Sequence, residues 1–277
     1  MVDQDEKSVD ARLGLDRPHG ARVYDYFLGG KDNFAIDRQA AEHLLEAFPG
    51  FRTAARSNRM WMHRAARYVA ERGVTQFLDI GTGIPTSPNL HEVVQEVVPE
   101  ARIVYADNDP IVLAHSRALL TSGPRGKTAY LEADVTDPQS ILTSDEVKNT
   151  LDLSKPVALS LVGVFHYLPD ALKPYDLVRE LVDALAPGSY LLFSHCTPDF
   201  APELWEKAIQ VYKADGGDAQ VRSKEEITRF FEGLELVEPG VSAPFRWHPD
   251  EKTEELVEKG EFTDVMCSLW VGVAKKP

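Results

Sequence analysis

Phe77-Leu-Asp-Ile-Gly-Thr-Gly-Ile-Pro-Thr86 decides how the rest of this 277-residue chain is read. Residues 77–80 form a short apolar run with Asp79 inside it, the pattern of a buried strand. Gly81-Thr-Gly83 then lets the backbone turn sharply and lets a ligand approach the main chain where a Cβ would block it. From Pro88 onward a helix can start. The stretch reads as the first strand-turn-helix of a nucleotide-binding α/β sheet.

Downstream, strands and helices alternate. Strands are expected at 76–80, 102–107, 128–133, 156–164 and 189–195, with helices around 89–98, 111–120, 140–147 and 175–185. Such a βαβ series implies a parallel sheet with helices on both faces. Further on, 204–214 should be helical, and Ser223-Lys-Glu-Glu226 fits a capping box opening another helix. Residues 234–237 and 263–274 read as strands, the second one long. Upstream, helices are expected at 21–28, stopped by Gly29-Gly30, at 36–48, and at 51–72, where Ala55, Met62, Ala66 and Val69 make an apolar stripe. Arg52, Arg56, Arg59, His63 and Arg67 share another face of that last helix. They read either as a solvated basic face paired with acids or as one wall of a ligand pocket.

Composition narrows the function classes. A hydrophobic fraction of 43% is ample for a core. No run of about 18 apolar residues suggests a membrane span. The charged first twenty residues lack the apolar stretch of a secretion signal, so the cytoplasm is expected. Cys196 and Cys267 are expected as reduced core thiols in strand-like runs, and no metal cluster is visible. The net charge of −14 argues against a broad nucleic-acid surface. It is unevenly spread: residues 1–75 carry 12 basic and 11 acidic side chains, the remaining 202 carry 18 and 33.

Ligands of doubly wound sheets bind beyond the carboxyl ends of the strands. Glycine or acidic features fall at three of those ends: Gly81-Thr-Gly83, Asp107-Asn-Asp109 and Ala133-Asp-Val135. Gly83 and Asp107 are 24 residues apart and Asp107 and Asp134 are 27 apart, about one βα unit each. Asp107 could take both hydroxyls of a ribose, and Asp134 an adenine amino group. A dinucleotide fingerprint would place a small residue where Thr86 stands, and Pro85 lacks an N–H for phosphate. An adenosine cofactor without phosphate fits better than NAD.

Asp79-Ile-Gly-Thr-Gly83, Tyr105-Ala-Asp-Asn-Asp109, Glu132-Ala-Asp-Val135 and Phe165-His-Tyr-Leu-Pro-Asp170 resemble the successive motifs of class I S-adenosylmethionine (SAM)-dependent methyltransferases. Leu185-Ala-Pro-Gly-Ser-Tyr-Leu-Leu192 resembles the turn into their fifth strand. More narrowly, Ala21-Arg-Val-Tyr-Asp-Tyr-Phe-Leu-Gly-Gly-Lys-Asp-Asn-Phe34 is similar to the opening signature of a bacterial family of SAM methyltransferases of undefined substrate. Ser57-Asn-Arg59 and Glu235-Leu-Val-Glu-Pro-Gly240 resemble that family too. The resemblance implies a Rossmann-like doubly wound seven-stranded sheet, mostly parallel with an antiparallel C-terminal strand, plus an N-terminal helical extension. It divides the chain into a flexible tail (1–20), a helical cap (21–73) and a SAM-binding domain (74–277), within which 198–232 is a helical acceptor-side segment. It further implies that Asp79, Gly81, Thr82 and Gly83 hold the methionine end of SAM and Asp107 the ribose. Asn108, Asp134 and Val135 would lie at the adenine, and Gly163 and Val164 beside the methyl group. Pro85 departs from the superfamily's usual small residue.

A pocket rimmed by carboxylates suits a cationic cofactor. Methyl transfer from an activated donor needs chiefly positioning and, for some acceptors, a base. His166 is the best-placed base, with Tyr167, His195 and His63 behind it, against a structural role at the strand end. Trp205, Tyr212 and Trp247 are either pocket or core. Arg22, Tyr24, Tyr26 and Asn33 flank the Gly29-Gly30 turn and, with Arg59, form a candidate lid or pocket wall, against a clasp that merely packs the N-terminal helices on the sheet. The expected function is a methyltransferase acting on a small molecule. Its alternatives are a non-catalytic SAM- or nucleotide-binding sensor and an NAD-type oxidoreductase.

Overall fold

Four apolar runs, buried along nearly their whole length, form the centre of a seven-stranded sheet. The structure, a computed structural model, describes residues 17–119 and 122–277. Most of the tail expected at 1–20 lies outside the described residues. In chain order the first elements are α1 (Gly20–Phe27), α2 (Ala35–Ala47), α3 (Phe51–Ala70), β1 (Gln76–Ile80), α4 (Leu90–Val97), β2 (Arg102–Asp107), α5 (Pro110–Leu119) and β3 (Lys127–Glu132). They continue with α6 (Pro138–Leu142), α7 (Asp145–Thr150), β4 (Ala158–Val162), α8 (Pro174–Asp183), β5 (Tyr190–Cys196) and α9 (Pro202–Ala214). The last are α10 (Lys224–Thr228), β6 (Glu235–Leu236), α11 (Glu251–Glu258), α12 (Asp264–Cys267) and β7 (Leu269–Lys275).

The strand order is β3-β2-β1-β4-β5-β7-β6. β1 to β5 pair in parallel, and β7 runs antiparallel to both β5 and β6. The order reverses between β1 and β4, which opens a crevice at their carboxyl ends. Period-two alternation distributes the side chains of each strand between two cores. Leu78, Ile80, Val104, Ala106, Leu159 and Phe193 meet α6, α7 and α8. Phe77, Ile103, Tyr105, Leu192 and Val271 meet α3 and α4.

A third cluster joins the N-terminal helices to α9: Val23, Phe27, Leu44, Phe48, Ala55, Trp205 and Ala208, with Cys196 and Leu269 from the sheet. Phe27 stacks on Phe51 at 5.3 Å, and Phe48 and Phe51 both abut Trp205. The Gly29-Gly30 turn folds around Asp25, whose carboxylate accepts from Asn33 Nδ2 at 2.7 Å and from the Asp32 N–H at 3.1 Å. A Cβ at Gly30 would overlap that carboxylate.

Three expectations need correction. The run 263–274 is not one strand: Thr263 caps α12, its hydroxyl accepting from the Met266 N–H at 3.2 Å, and β7 starts only after Ser268 at φ 43°. Cys267 is therefore helical, although it is buried as expected. The helix at 140–147 is two, because Asp137 and Ser144 each cap their own turn. Residues 238–262, where no element was expected, carry α11, capped by Asp250. The Ser223–Glu226 capping box forms as read.

Candidate functional site

The turn after β1 is held by its own backbone N–H groups, one on a main-chain carbonyl and one on a carboxylate. Gly81 sits at φ 74°, and a Cβ there would come within 2.1 Å of Val164 Cγ2. Its N–H donates to Ala106 O at 2.8 Å, tying the turn to β2. Gly83, at φ 68°, donates its N–H to Asp107 Oδ2 at 2.9 Å, and the other Asp107 oxygen accepts from the Asp109 N–H at 3.0 Å. The end of β1 is thereby locked to the end of β2. Six residues after Gly83, Asn89 caps α4, with the Glu92 carboxylate accepting from the Asn89 N–H at 2.5 Å. A carboxylate thus occupies the helix end where a dinucleotide would place its pyrophosphate.

At the end of β3, Asn108 Nδ2 donates to Asp134 Oδ2 at 2.9 Å, and the other Asp134 oxygen accepts from the Thr136 N–H and hydroxyl. Although partial burial works against it, these bonds hold the Asp134 carboxyl below its usual range. All ten residues expected at the cofactor line one cleft of about 390 Å³, together with Tyr24, Arg59 and the 17–21 segment. Burial pushes Asp79 up to about 6, with Arg59 opposing and Asp107 adding to the rise. Burial also raises Asp107 and lowers Arg59.

Against this cleft lies a second space of about 80 Å³. Both are bordered by Tyr24, Gly163, Tyr167 and Tyr212. The remaining walls of the second space include Phe27, Phe51, Asn58, His166, Trp205 and Ala208, and among the described residues no Lys, Arg, Asp or Glu lines it. Asn58 Nδ2 donates to the Tyr24 hydroxyl at 3.4 Å, while Asn58 Oδ1 and His166 Nδ1 are buried without a partner. Burial, with the Arg222 charge adding, pushes His166 down to about 4.

The sequence model of the S-adenosyl methyltransferase family matches residues 6–277. The chain belongs to that family. Its cofactor is S-adenosylmethionine. A solved DUF574 family protein from Streptomyces avermitilis MA-4680 is 45% identical, with a TM-score of 0.91 over 96% of this chain and 100% of that one. A candidate methyltransferase from Thermobifida fusca YX is 41% identical, with a TM-score of 0.86 over 95% and 97%. The plantazolicin methyltransferase BamL, solved with a triazolic desmethylPZN analog and SAH, shares the fold at 12% identity and a TM-score of 0.51, over 92% and 95%. No curated protein matches the chain in sequence.

In this family member the candidate lid residues part company. Tyr24 and Arg59 line the cleft; Arg22, Tyr26 and Asn33 do not. Arg22, 1% exposed, lies with Nε 3.3 Å from Asp109 and 3.7 Å from Asp37, joining α1 to α2 and to the loop after β2. Tyr26 bonds Glu42 under Arg52 at the surface, and Asn33 serves the glycine turn. Arg59 donates to the carbonyls of Thr86 and Pro88, while Arg52, Arg56 and Arg67 pair with Glu42, Glu261 and Glu96. Trp205 and Tyr212 line the smaller space; Trp247 is fully buried against Trp61 and Tyr68. His63 lines neither space and is pushed down to about 4 by burial.

His195 is committed elsewhere. Its Nδ1 donates to Cys196 O at 2.7 Å, which leaves Nε2 to accept from Arg222 Nη1 at 2.9 Å. Arg222, 1% exposed, also bonds the carbonyls of Phe165 and Leu168 and the Asp170 carboxylate at 2.7 Å. It holds in place the loop that carries His166 and Tyr167. Sequence reading missed it, because a lone arginine two residues after Gln220 carries no pattern.

Proposed function

We propose that the protein transfers the methyl group of SAM to a small-molecule acceptor, with SAM in the larger cleft and the acceptor in the smaller space. One observation carries this reading: residues from four strand ends meet in a single cleft whose wall at Gly163 and Tyr167 is also the wall of an uncharged chamber. The cleft fits the cofactor. Gly81 lets the turn close tightly against Val164, where a Cβ would clash, and Asp79, Asp107 and Asp134 offer carboxylates to a cation with no phosphate.

When bound, SAM supplies an already activated methyl group. The chain's own residues hold and orient. Ionised Asp79 would take the ammonium of the methionine end, beside the backbone of Gly81, Thr82 and Gly83. Asp107, fixed by two N–H groups, would present its free lone pairs to the ribose hydroxyls. Asn108, Asp134 and Val135 would face the adenine edge, and Gly163 and Val164 the methyl group. His166 is neutral across physiological pH, so its Nδ1 can accept a proton from the acceptor. We read 21–73 as a cap and 198–232 as the acceptor-side segment. Both cysteines are buried free thiols, in keeping with a cytoplasmic setting.

Calorimetric titration of SAM, SAH and NAD, followed by labelled-methyl transfer to a metabolite extract, tests the reading. Micromolar SAM affinity with a labelled product is expected. Binding of NAD without SAM would overturn it, and SAM binding without any product would favour a sensor.

A further inference from the structure

The smaller chamber has a polar group with nothing to bond. Asn58 is 2% exposed, its amide nitrogen is engaged with Tyr24, and its Oδ1 has no partner. His166 Nδ1, on another wall of the same chamber, is likewise unpartnered. Asn58 Oδ1 can only accept, and His166 Nδ1 accepts in the tautomer with its proton on Nε2; buried polar atoms left unbonded in this way are costly unless a ligand meets them. The two flank Gly163: a Cβ there would lie 3.3 Å from Asn58 Nδ2 and 3.9 Å from His166 Cε1. Gly163 borders the cofactor cleft on its other side, so the orphaned acceptors stand where the two spaces meet.

We infer that the acceptor is a neutral aromatic hydroxyl compound, a phenol, one edge of whose ring enters this chamber and whose O–H donates to Asn58 Oδ1 or His166 Nδ1. The inference rests on the larger cleft being the SAM site. Among the described residues no lysine, arginine, aspartate or glutamate lines the chamber, so an ammonium or carboxylate there would be desolvated without a counter-charge. Rings make up much of the wall surface, from Phe27, Phe51, Trp205 and the tyrosines at positions 24, 167 and 212, with aliphatic residues between them. They suit offset or edge contacts with another ring. A volume of about 80 Å³ is roughly half that of an apolar cavity that admits benzene. The chamber therefore grips one edge of a ring and leaves its hydroxyl at the shared wall.

The bookkeeping of the step is simple. The phenolic oxygen forms a bond to the methyl carbon as the carbon–sulfur bond breaks, and sulfur keeps that electron pair. The O–H proton passes to His166 Nδ1 and on to solvent. As the phenolic oxygen bonds the methyl carbon it turns oxonium-like and strongly acidic, so a weakly basic imidazole is enough.

Titration of protein saturated with SAH tests this with three probes: 4-ethylphenol, 4-ethylbenzoate and 4-ethylcyclohexanol. The phenol is expected to bind at least tenfold more tightly than the other two and to accept a labelled methyl group from SAM. Ala208→Leu, at a wall residue 1% exposed, should weaken the phenol at least tenfold and leave SAH affinity within twofold. Asn58→Ala should weaken it roughly fivefold, the scale of one hydrogen bond. Equal binding of benzoate or cyclohexanol, or a phenol affinity indifferent to both substitutions, overturns the inference alone. Failure of the wild-type chain to bind SAH overturns the cleft reading and this proposal with it.

Discussion

The two spaces that meet at Gly163 are built on different principles. The larger cleft, the proposed cofactor site, is lined largely from strand ends, and its shape depends on backbone, two left-handed glycines and an N–H on each Asp107 oxygen, with one side-chain bond between Asn108 and Asp134. The acceptor chamber is lined from α1, α2, α3 and α9 and by residues as far apart as Val23 and Leu269, and its shape depends on how side chains pack. A backbone-built site is sensitive to a single added carbon. A packing-built site yields to volume and to whatever holds its walls in place.

The largest effect is expected where that sensitivity is greatest. Gly81→Val forces a Cβ-branched residue to φ 74° and into Val164. The left-handed backbone costs about 1–2 kcal/mol and overpacking about 1–3 kcal/mol. SAM affinity measured by calorimetry should fall by roughly two orders of magnitude or more. Retained affinity would mean that the cleft is not backbone-built.

Arg222 is the point at which the two spaces share one support, because it holds the loop after β4 that borders both. Arg222→Met leaves the carbonyls of Phe165 and Leu168 without their donor and frees His195 Nε2. A loss of about 3 kcal/mol is expected, read as a fall in Tm of roughly 6–12 °C. Asp170→Asn should cost less than about 1 kcal/mol, since that side chain is 61% exposed. Equal effects of the two would show that the bond to Asp170, rather than the buried carbonyls, carries the support.

Asp79 sets function against stability inside the cleft. Burial raises its carboxyl from 3.8 to about 6, so the folded state favours the protonated form. Its contribution to stability is present below about pH 4 and lost as pH rises through about 6, a cost near 3 kcal/mol at most. Asp79→Asn should therefore raise the Tm of the ligand-free protein at pH 8 and flatten its dependence between pH 4 and 6. On the proposed reading SAM affinity needs the ionised form. It should rise as pH climbs through about 6, and fall roughly tenfold or more in the variant. An unaltered pH profile in the variant would remove Asp79 from the methionine end.

The same contrast explains what could be read from sequence. The cleft was legible because parallel βα units repeat at a nearly constant length, so Gly83, Asp107 and Asp134 fall at equivalent strand ends before any packing is known. The sheet was legible for the same reason. The chamber was not: Asn58 reads as a mid-helix polar residue, and only packing of α1 and α9 over α3 encloses it. Arg22 left two readings open, because polar content near a glycine pair suits a lid as well as a clasp; only the folded chain brings Asp37 and Asp109 to its guanidinium, as a clasp requires. The run 263–274 failed on local chemistry, since Thr263-Asp264 is a helix cap inside an otherwise strand-like sequence.

The smallest expected effect comes from the basic face of α3, whose two readings both hold, for different residues. Arg67 and Glu96 meet at 2.6 Å but are 44% and 63% exposed, so the pair is screened by water. Such pairs contribute about 0.2–1 kcal/mol, and Arg67→Ala should lower Tm by no more than roughly 2–4 °C and leave SAM affinity unchanged. Arg59, eight residues earlier and on the same face, points instead into the cleft and braces the Thr86 and Pro88 carbonyls. The burial that depresses its pKa also shields its charge from salt. Measuring SAM affinity for both variants at low and high ionic strength therefore separates them. Arg59→Ala should weaken binding at either salt concentration, whereas a loss of SAM affinity in Arg67→Ala would mean that the solvated face and the cleft are one electrostatic surface.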